Sequence, residues 1–234
     1  LRQRLKVWRL RRVEKLALPA LNQVWAVSES DARQFRALGA ARVQVTPNII
    51  PDAAFTQGPT AGQAGHAAFF GWLAYPPNVE AVEYLLDLAE RCAWLTQLSL
   101  IGRGLPARLQ ARIQTNPKVR YLGYVENLAE ALREAAAVLI PLRHGAGTKL
   151  KVIEALALGK VLVTTPIGAE GLDLVHGRHA WVQSTGADFD ACAQAALSNP
   201  SAHQDMAHAG QTHARARFSQ AALNQAVAEA LGSP

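Results

Sequence analysis

The 234-residue sequence has little sulfur and few aromatic residues: two Cys, one Met, and 6% Phe, Trp and Tyr. Cys92 and Cys192 stand apart in apolar helical contexts. That argues against a disulfide framework and fits single buried thiols in a reduced, cytoplasmic setting. No apolar run approaches the ~18 residues of a membrane span. The first residues lack the apolar central region of a secretory leader, and the chain opens on Leu, so a fragment of a longer chain is the expectation. His176 and His179 have no Cys or carboxylate cluster to complete a metal site, so no metal is expected. His203, His208 and His213, five apart, share no helical face. The histidines read as surface residues.

Acidic residues are scarce in one place. Residues 1–17 hold seven basic residues and one acid (Glu14), a net of +6. The whole chain is also +6, so residues 18–234 balance. The basicity therefore describes one segment and argues against a nucleic-acid-binding body. Leu5, Trp8, Val13 and Leu16 would give that segment an apolar stripe. A basic amphipathic helix of this kind lies peripherally on an anionic membrane face, or is a surface helix separated from the rest of its domain.

What the chain has in quantity is alternation of strand and helix. Strands are predicted at 23–27, 42–46, 66–71, 95–102, 119–123, 137–142, 160–166 and 179–183. Helices are predicted at 28–38, 77–92, 106–114, 127–135, 147–159, 186–198, 202–216 and 218–231. Between them, "PNIIPDAAFTQGPTAGQAG" (47–65) holds three prolines and three glycines and reads as a linker or crossover. Strands that are near-continuous apolar runs are covered on both faces, so the expected fold is α/β with a doubly wound parallel sheet. Ligands of such sheets bind beyond the carboxyl ends of the strands.

The most informative stretch is "PLRHGAGTKLKVIEALALGKVLVTT" (141–165). The helix predicted from Gly147 is apolar almost all round, except for Lys151 and Glu154 on one face. A polar stripe that leads from a helix start into a cleft explains the pair better than a buried ion pair does. Gly145 and Gly147 let backbone approach a ligand, and free N–H groups at a helix start attract anions. Lys151, or alternatively Lys149, adds charge for a phosphate, and Glu154 one turn deeper suits a sugar diol. A capped core helix whose Lys and Glu pair at its edge is the other reading. A P-loop fails, because Leu150 stands where its second glycine belongs. "GRGLPA" (102–107) fits a dinucleotide fingerprint with Glu126 downstream, but it does not follow the first strand of its series.

These residues resemble a known family. "FFGWLAYPPNVEAVEYL", "LIGRG", "YLGYVENLAEAL", "LIPLRHGAGTKLKVIEALALGKVLVTTPIGAEGL" and "AVSESDARQFRALGAARVQVTPN" occur in this order in group 1, or family 4, glycosyltransferases. The resemblance implies a retaining enzyme of GT-B architecture, two Rossmann-like domains with the nucleotide-sugar donor on the C-terminal one. Residues 1–50 would be the tail of the N-terminal, acceptor-binding domain and 51–65 the interdomain linker. Residues 66–217 would be the donor domain, and 218–234 a helix returning toward the N-terminal domain. It also implies that Glu154 is the second Glu of an E-x7-E motif and holds the donor ribose. Gly147 and Thr148 would meet the diphosphate through backbone amides, with Gly145, Ala146 and His144 beside them and Lys151 on a phosphate. Tyr124, Val125 and Leu128 would flank the base, and Gly71 and Arg103 would line the cleft. Lys151 and Glu154 are thus the candidate catalytic pair, and no cofactor or metal is implied.

Two departures stand out. The first Glu of the motif is replaced by Ala146, and the usual Lys of a "K-G" step after "FFG" gives way to "YPPN" (75–78), where Asn78 is expected to cap the next helix. Glu170, in a glycine-rich turn, could meet a sugar hydroxyl. The expected partners are a nucleotide-sugar donor, a glycan or lipid-linked acceptor and the missing N-terminal domain. Such a chain would bind donor and transfer little or no sugar alone. A non-catalytic nucleotide-sugar-binding scaffold and a GT-B-type sugar-nucleotide epimerase are the competing functions.

Overall fold

The computed structural model describes residues 2–145 and 147–232, with residues 2–8 as backbone only. The chain forms two compact units, Leu1–Ile49 with Arg217–Pro234, and Ile50–Ala216.

The first unit opens with the helix α1 (Arg2–Ala17), followed by β1 (Val24–Ala26), α2 (Glu29–Ala37) and β2 (Val43–Val45). The two strands pair in parallel, with Val24 opposite Val43. Ser28 starts α2 by accepting the Asp31 amide at 3.1 Å, and Gly39, at φ +100°, ends it. Of the predicted stripe on α1, Val13 and Leu16 are exposed; the side chains of Leu5 and Trp8 lie outside the described residues.

The second unit alternates β3 (Gln63–Phe70), α3 (Pro76–Arg91), β4 (Gln97–Ile101), α4 (Ala107–Gln114), β5 (Val119–Gly123) and α5 (Leu128–Ala131). It continues with β6 (Ala135–Ile140), α6 (Leu150–Ala157), β7 (Val161–Thr164), α7 (Pro166–Ala169), β8 (Trp181–Val182), α8 (Ala187–Ser198) and most of α9 (Gln204–Phe218). The last helix, α10 (Gln220–Leu231), belongs to the first unit, where Gln23 and Gln44 donate to the Ala230 and Ala226 carbonyls. The doubly wound α/β reading holds: β3–β8 form one parallel sheet in the order β5-β4-β3-β6-β7-β8. Ala67–Phe70, Ala135–Ile140 and Val161–Thr164 are buried, because helices cover both faces of the sheet.

Three predicted elements need correcting. The strand expected at 66–71 begins at Gln63, whose amide takes the Glu134 carbonyl at 2.8 Å. The helix expected over 127–135 lasts only from Leu128 to Ala131, since Ala135 already belongs to β6. The helix expected from Gly147 begins at Leu150. The strand order is that of two mononucleotide-binding halves, with the reversal between β3 and β6. In sheets of this order, ligands bind in the crevice outside the strand ends at that reversal.

Candidate functional site

One wall is built where β3, β4 and β5 end. Their loops continue the ladder: the Gly71 amide donates to Ile101 O (3.0 Å), Gly102 to Gly123 O (2.7 Å) and Leu73 to Arg103 O (2.8 Å). So close an approach demands glycine at 102, where φ is +132° and a Cβ would fall 1.8 Å from Gly71 O. The result is a mostly apolar cavity of about 340 Å³, lined by Phe70, Gly71, Trp72, Ile101, Gly102, Arg103, Tyr124 and Val125. The Arg103 guanidinium stacks 4.2 Å from the Tyr124 ring centre. Gly71, Arg103, Tyr124 and Val125 thus come together as expected for one wall, whereas Leu128, the first residue of α5, does not line the cavity. The "GRG" turn follows β4, the second strand of this series, which is not where a dinucleotide fingerprint belongs.

The crevice itself holds Lys151 and Glu154, on α6. Lys151 Nζ donates to Asn78 Oδ1 and sits 4.7 Å from the Phe69 ring centre. No acid pairs with it among the described residues, and burial lowers its ammonium to about 8. The half-buried Glu154 carboxylate has no side-chain partner among the described residues, and burial raises its pKa. An edge pair between Lys151 and Glu154 is not formed. Leu150, expected in the core, is 45% exposed.

Asn78, expected to cap α3, does not do so: no side chain caps that helix. Asn78 is 4% exposed, its Nδ2 donates to Trp72 O at 2.7 Å, and its other end accepts Lys151. Sequence reasoning missed that role because the partner lies 73 residues away. It also passed over Trp72, 65% exposed and stacked on Tyr75 with ring centres 6.4 Å apart. Its place directly after "FFG" was the available signal.

Ala146 lies outside the described residues. Around it, Lys149 is almost fully buried and turned back on its own loop, with Nζ 3.1 Å from Gly145 O, 2.8 Å from Gly147 O and 3.7 Å from Glu170 Oε2. Gly147 and Thr148 precede α6, and the Thr148 hydroxyl is buried without a partner among the described residues. Gly145 and Gly147 have φ +143° and +75°. His144 Nδ1 is 3.3 Å from Glu80 Oε2 at the cleft rim. Chemically, the start of α6 and the loop before it offer a cation, a carboxylate and a hydroxyl that have no charged or hydroxyl partner among the described residues.

The remaining expectations meet the structure unevenly. His179 is buried rather than superficial, and its ring stacks on His213 with centres 4.4 Å apart. Cys92 and Cys192 are free and half-buried. Among the described residues no three His, Cys, Asp or Glu gather as a metal site, and no helix is long and apolar enough to cross a membrane.

A family model described as "Glycosyl transferases group 1" matches residues 65–199. The chain belongs to that family. No curated protein matches it in sequence. Among solved structures, HepE (Alr3699) of Anabaena, in complex with UDP and glucose, is 18% identical with a TM-score of 0.76. That match covers 96% of this chain and 68% of HepE. A TarM variant from S. aureus, in complex with fondaparinux, alpha-GlcNAc-glycerol and UDP, is 12% identical with a TM-score of 0.76 and covers 92% of this chain and 45% of that one. Sucrose-phosphate synthase of Thermosynechococcus elongatus is 18% identical with a TM-score of 0.75, covering 96% of this chain and 62% of that one. At these identities the likeness is one of fold, the α/β GT-B type.

Proposed function

We propose that this chain is the donor-binding part of a retaining, family 4 hexosyltransferase and binds a nucleoside-diphosphate sugar across the crevice between β3 and β6. The observation that carries the reading is Lys151: a half-buried lysine at the switch point, bound to the neutral Asn78 and with no acid pairing with it among the described residues, is a site for an anion. In this reading the leaving diphosphate lies on Lys151 and on the backbone amides of Gly147 and Thr148, with His144, Gly145, Ala146 and Lys149 completing the loop. Glu154 accepts from the ribose hydroxyls. The base enters the cavity walled by Gly71, Arg103, Tyr124 and Val125. As the anomeric bond breaks, charge builds on the diphosphate, and a positioned cation and amides stabilise that charge more than the ground state. No metal takes part.

By the same reading, residues 1–50 are the tail of the acceptor domain, 51–65 the linker and 218–234 the helix that returns to it. The acceptor is a glycan or lipid-linked glycan, residues 1–17 contact an anionic membrane face on the cytoplasmic side, and the 234-residue chain alone transfers little or no sugar. Ala146, in place of a motif Glu, favours one rival, a nucleotide-sugar-binding scaffold without chemistry.

Calorimetric titration with UDP, GDP, ADP and their sugars tests the reading. Selective binding of one nucleotide is expected. Glu154→Ala should weaken it about ten- to a hundredfold, the worth of hydrogen bonds to a charged group. A folded chain that binds none of them, or a Glu154→Ala variant that binds as well as wild type, would contradict it.

A further inference from the structure

The cation of the crevice is held in an unusual way. Lys151 forms no ion pair among the described residues: its Nζ lies on the neutral amide oxygen of Asn78 and over the face of Phe69. The charged groups of the elements around it, Glu154 on α6 and Glu80 on α3 with its partner His144, form no ion pair with it. Asn78 itself cannot turn freely. It is buried, and its amide nitrogen is spent on Trp72 O at 2.7 Å, so the oxygen is the end presented to Lys151. Gly71 completes the arrangement, since a Cβ there would stand 3.0 Å from Lys151 Nζ and 3.4 Å from Asn78 Nδ2.

We propose that Asn78 is a positioning residue for the donor diphosphate: it anchors Lys151 by one neutral hydrogen bond and leaves the ammonium charge, with its other donors, for the phosphate. This rests on the donor-binding reading above. An ammonium has three donors; one is used on Asn78, and a neutral acceptor does not quench the field that a phosphate feels. A carboxylate in the same place would hold Lys151 as firmly while cancelling its charge and repelling the diphosphate. The side chain at 78 therefore has to be polar and uncharged.

The substitution that separates this from a packing role is Asn78→Asp, which keeps size and the bond to Lys151 but gives up the donation to Trp72 O, so the pH profile and not the affinity alone is the readout. It is compared with wild type, Asn78→Ala and Lys151→Met in titrations with UDP, GDP and ADP between pH 6.5 and 10. For wild type, binding should weaken above about pH 8, where the half-buried lysine loses its proton; the bound anion itself moves that fall upward. Asn78→Asp should bind about ten- to a hundredfold more weakly at pH 7, with its remaining binding persisting to higher pH, because the carboxylate keeps Lys151 protonated. Asn78→Ala should keep the wild-type pH profile at reduced affinity, and Lys151→Met should lose the pH dependence. In the nucleotide-free chain, the Lys151 titration, followed by NMR of the side-chain Cε, should move upward in Asn78→Asp. Wild-type binding with an Asn78→Asp variant of equal affinity and unchanged pH profile would overturn the proposal and leave the donor site standing. A wild-type chain that binds no nucleoside diphosphate would overturn both.

Discussion

At the scale of single residues, the site is made of groups that are each uncomfortable without a ligand. Glu154 is the clearest. Burial raises its carboxyl, so the folded chain holds that proton more tightly than the unfolded one. The cost of ionising it is present above the folded pKa and fades as pH falls toward the unfolded value near 4.3. Glu154→Gln should therefore raise the thermal midpoint of the nucleotide-free chain at pH 7 while impairing nucleotide binding, a trade of stability for function read by scanning calorimetry with and without nucleotide. A midpoint that falls would show that the carboxylate has a stabilising partner. Gly71→Ala runs the other way. Its φ of +140° is strained for any side chain, and the new Cβ crowds Lys151. A loss of about 1–3 kcal/mol, measured by urea unfolding, with weaker nucleotide binding, is expected.

At the scale of elements, α3 is tied to the turn before α8 by a buried phenol. The Tyr84 hydroxyl donates to Asp190 Oδ1 at 2.5 Å and accepts the Gly186 amide at 3.0 Å; burial and the Asp190 bond push it up to about 12. Arg91 holds the other oxygen of Asp190 at 2.5 Å. Tyr84→Phe should cost about 1–2 kcal/mol, because the Gly186 amide and Asp190 lose their shared partner, and the loss should appear in urea unfolding without a change in nucleotide affinity. Elements were legible in the sequence where burial alone defines them. β6 and β7 are fully buried and, apart from Thr164, made of Ala, Val, Leu and Ile, and both lie within two residues of where the apolar runs start, though β7 ends at Thr164 and not at 166. Where a tertiary contact decided the boundary, sequence reasoning missed it. "NLAEALREA" has a helical period, yet its last residues turn so that the Glu134 carbonyl can meet Gln63. α6 begins at Leu150, three residues after Gly147; the Lys149 ammonium takes the carbonyls of Gly145 and Gly147, a contact that no spacing rule reveals. The site was legible on α6 and in the "FFG", "GRG" and "GYV" loops. Asn78 was not, since its meaning depends on Lys151.

At the scale of the whole molecule, two desolvated lysines, the buried Lys160 and the half-buried Lys151, set an alkaline signature. Lys160 is 3% exposed, with Nζ on Thr60 Oγ1 (2.9 Å) and the carbonyls of Arg133 (3.1 Å) and Ala135 (3.2 Å), and burial lowers both it and Lys151 to about 8. An unfolded lysine titrates near 10.4. Between these values the unfolded chain binds more protons, so stability should rise with pH from about 8 toward 10. Burial raises the Cys192 thiol, which works in the opposite direction. Urea midpoints across this range should climb for wild type and climb less steeply for Lys151→Met; equal slopes would mean that Lys151 is not desolvated as described.

In the proposed reading a nucleoside diphosphate lies at the switch point between β3 and β6. Diffraction from the chain crystallised with the nucleotide that binds it tests this most directly. A phosphate oxygen within about 3 Å of Lys151 Nζ, ribose hydroxyls on Glu154 and the base in the cavity beside Arg103 and Tyr124 are expected. A diphosphate held instead on the turn at Gly102–Gly104, with Lys151 still bound only to Asn78, would contradict it.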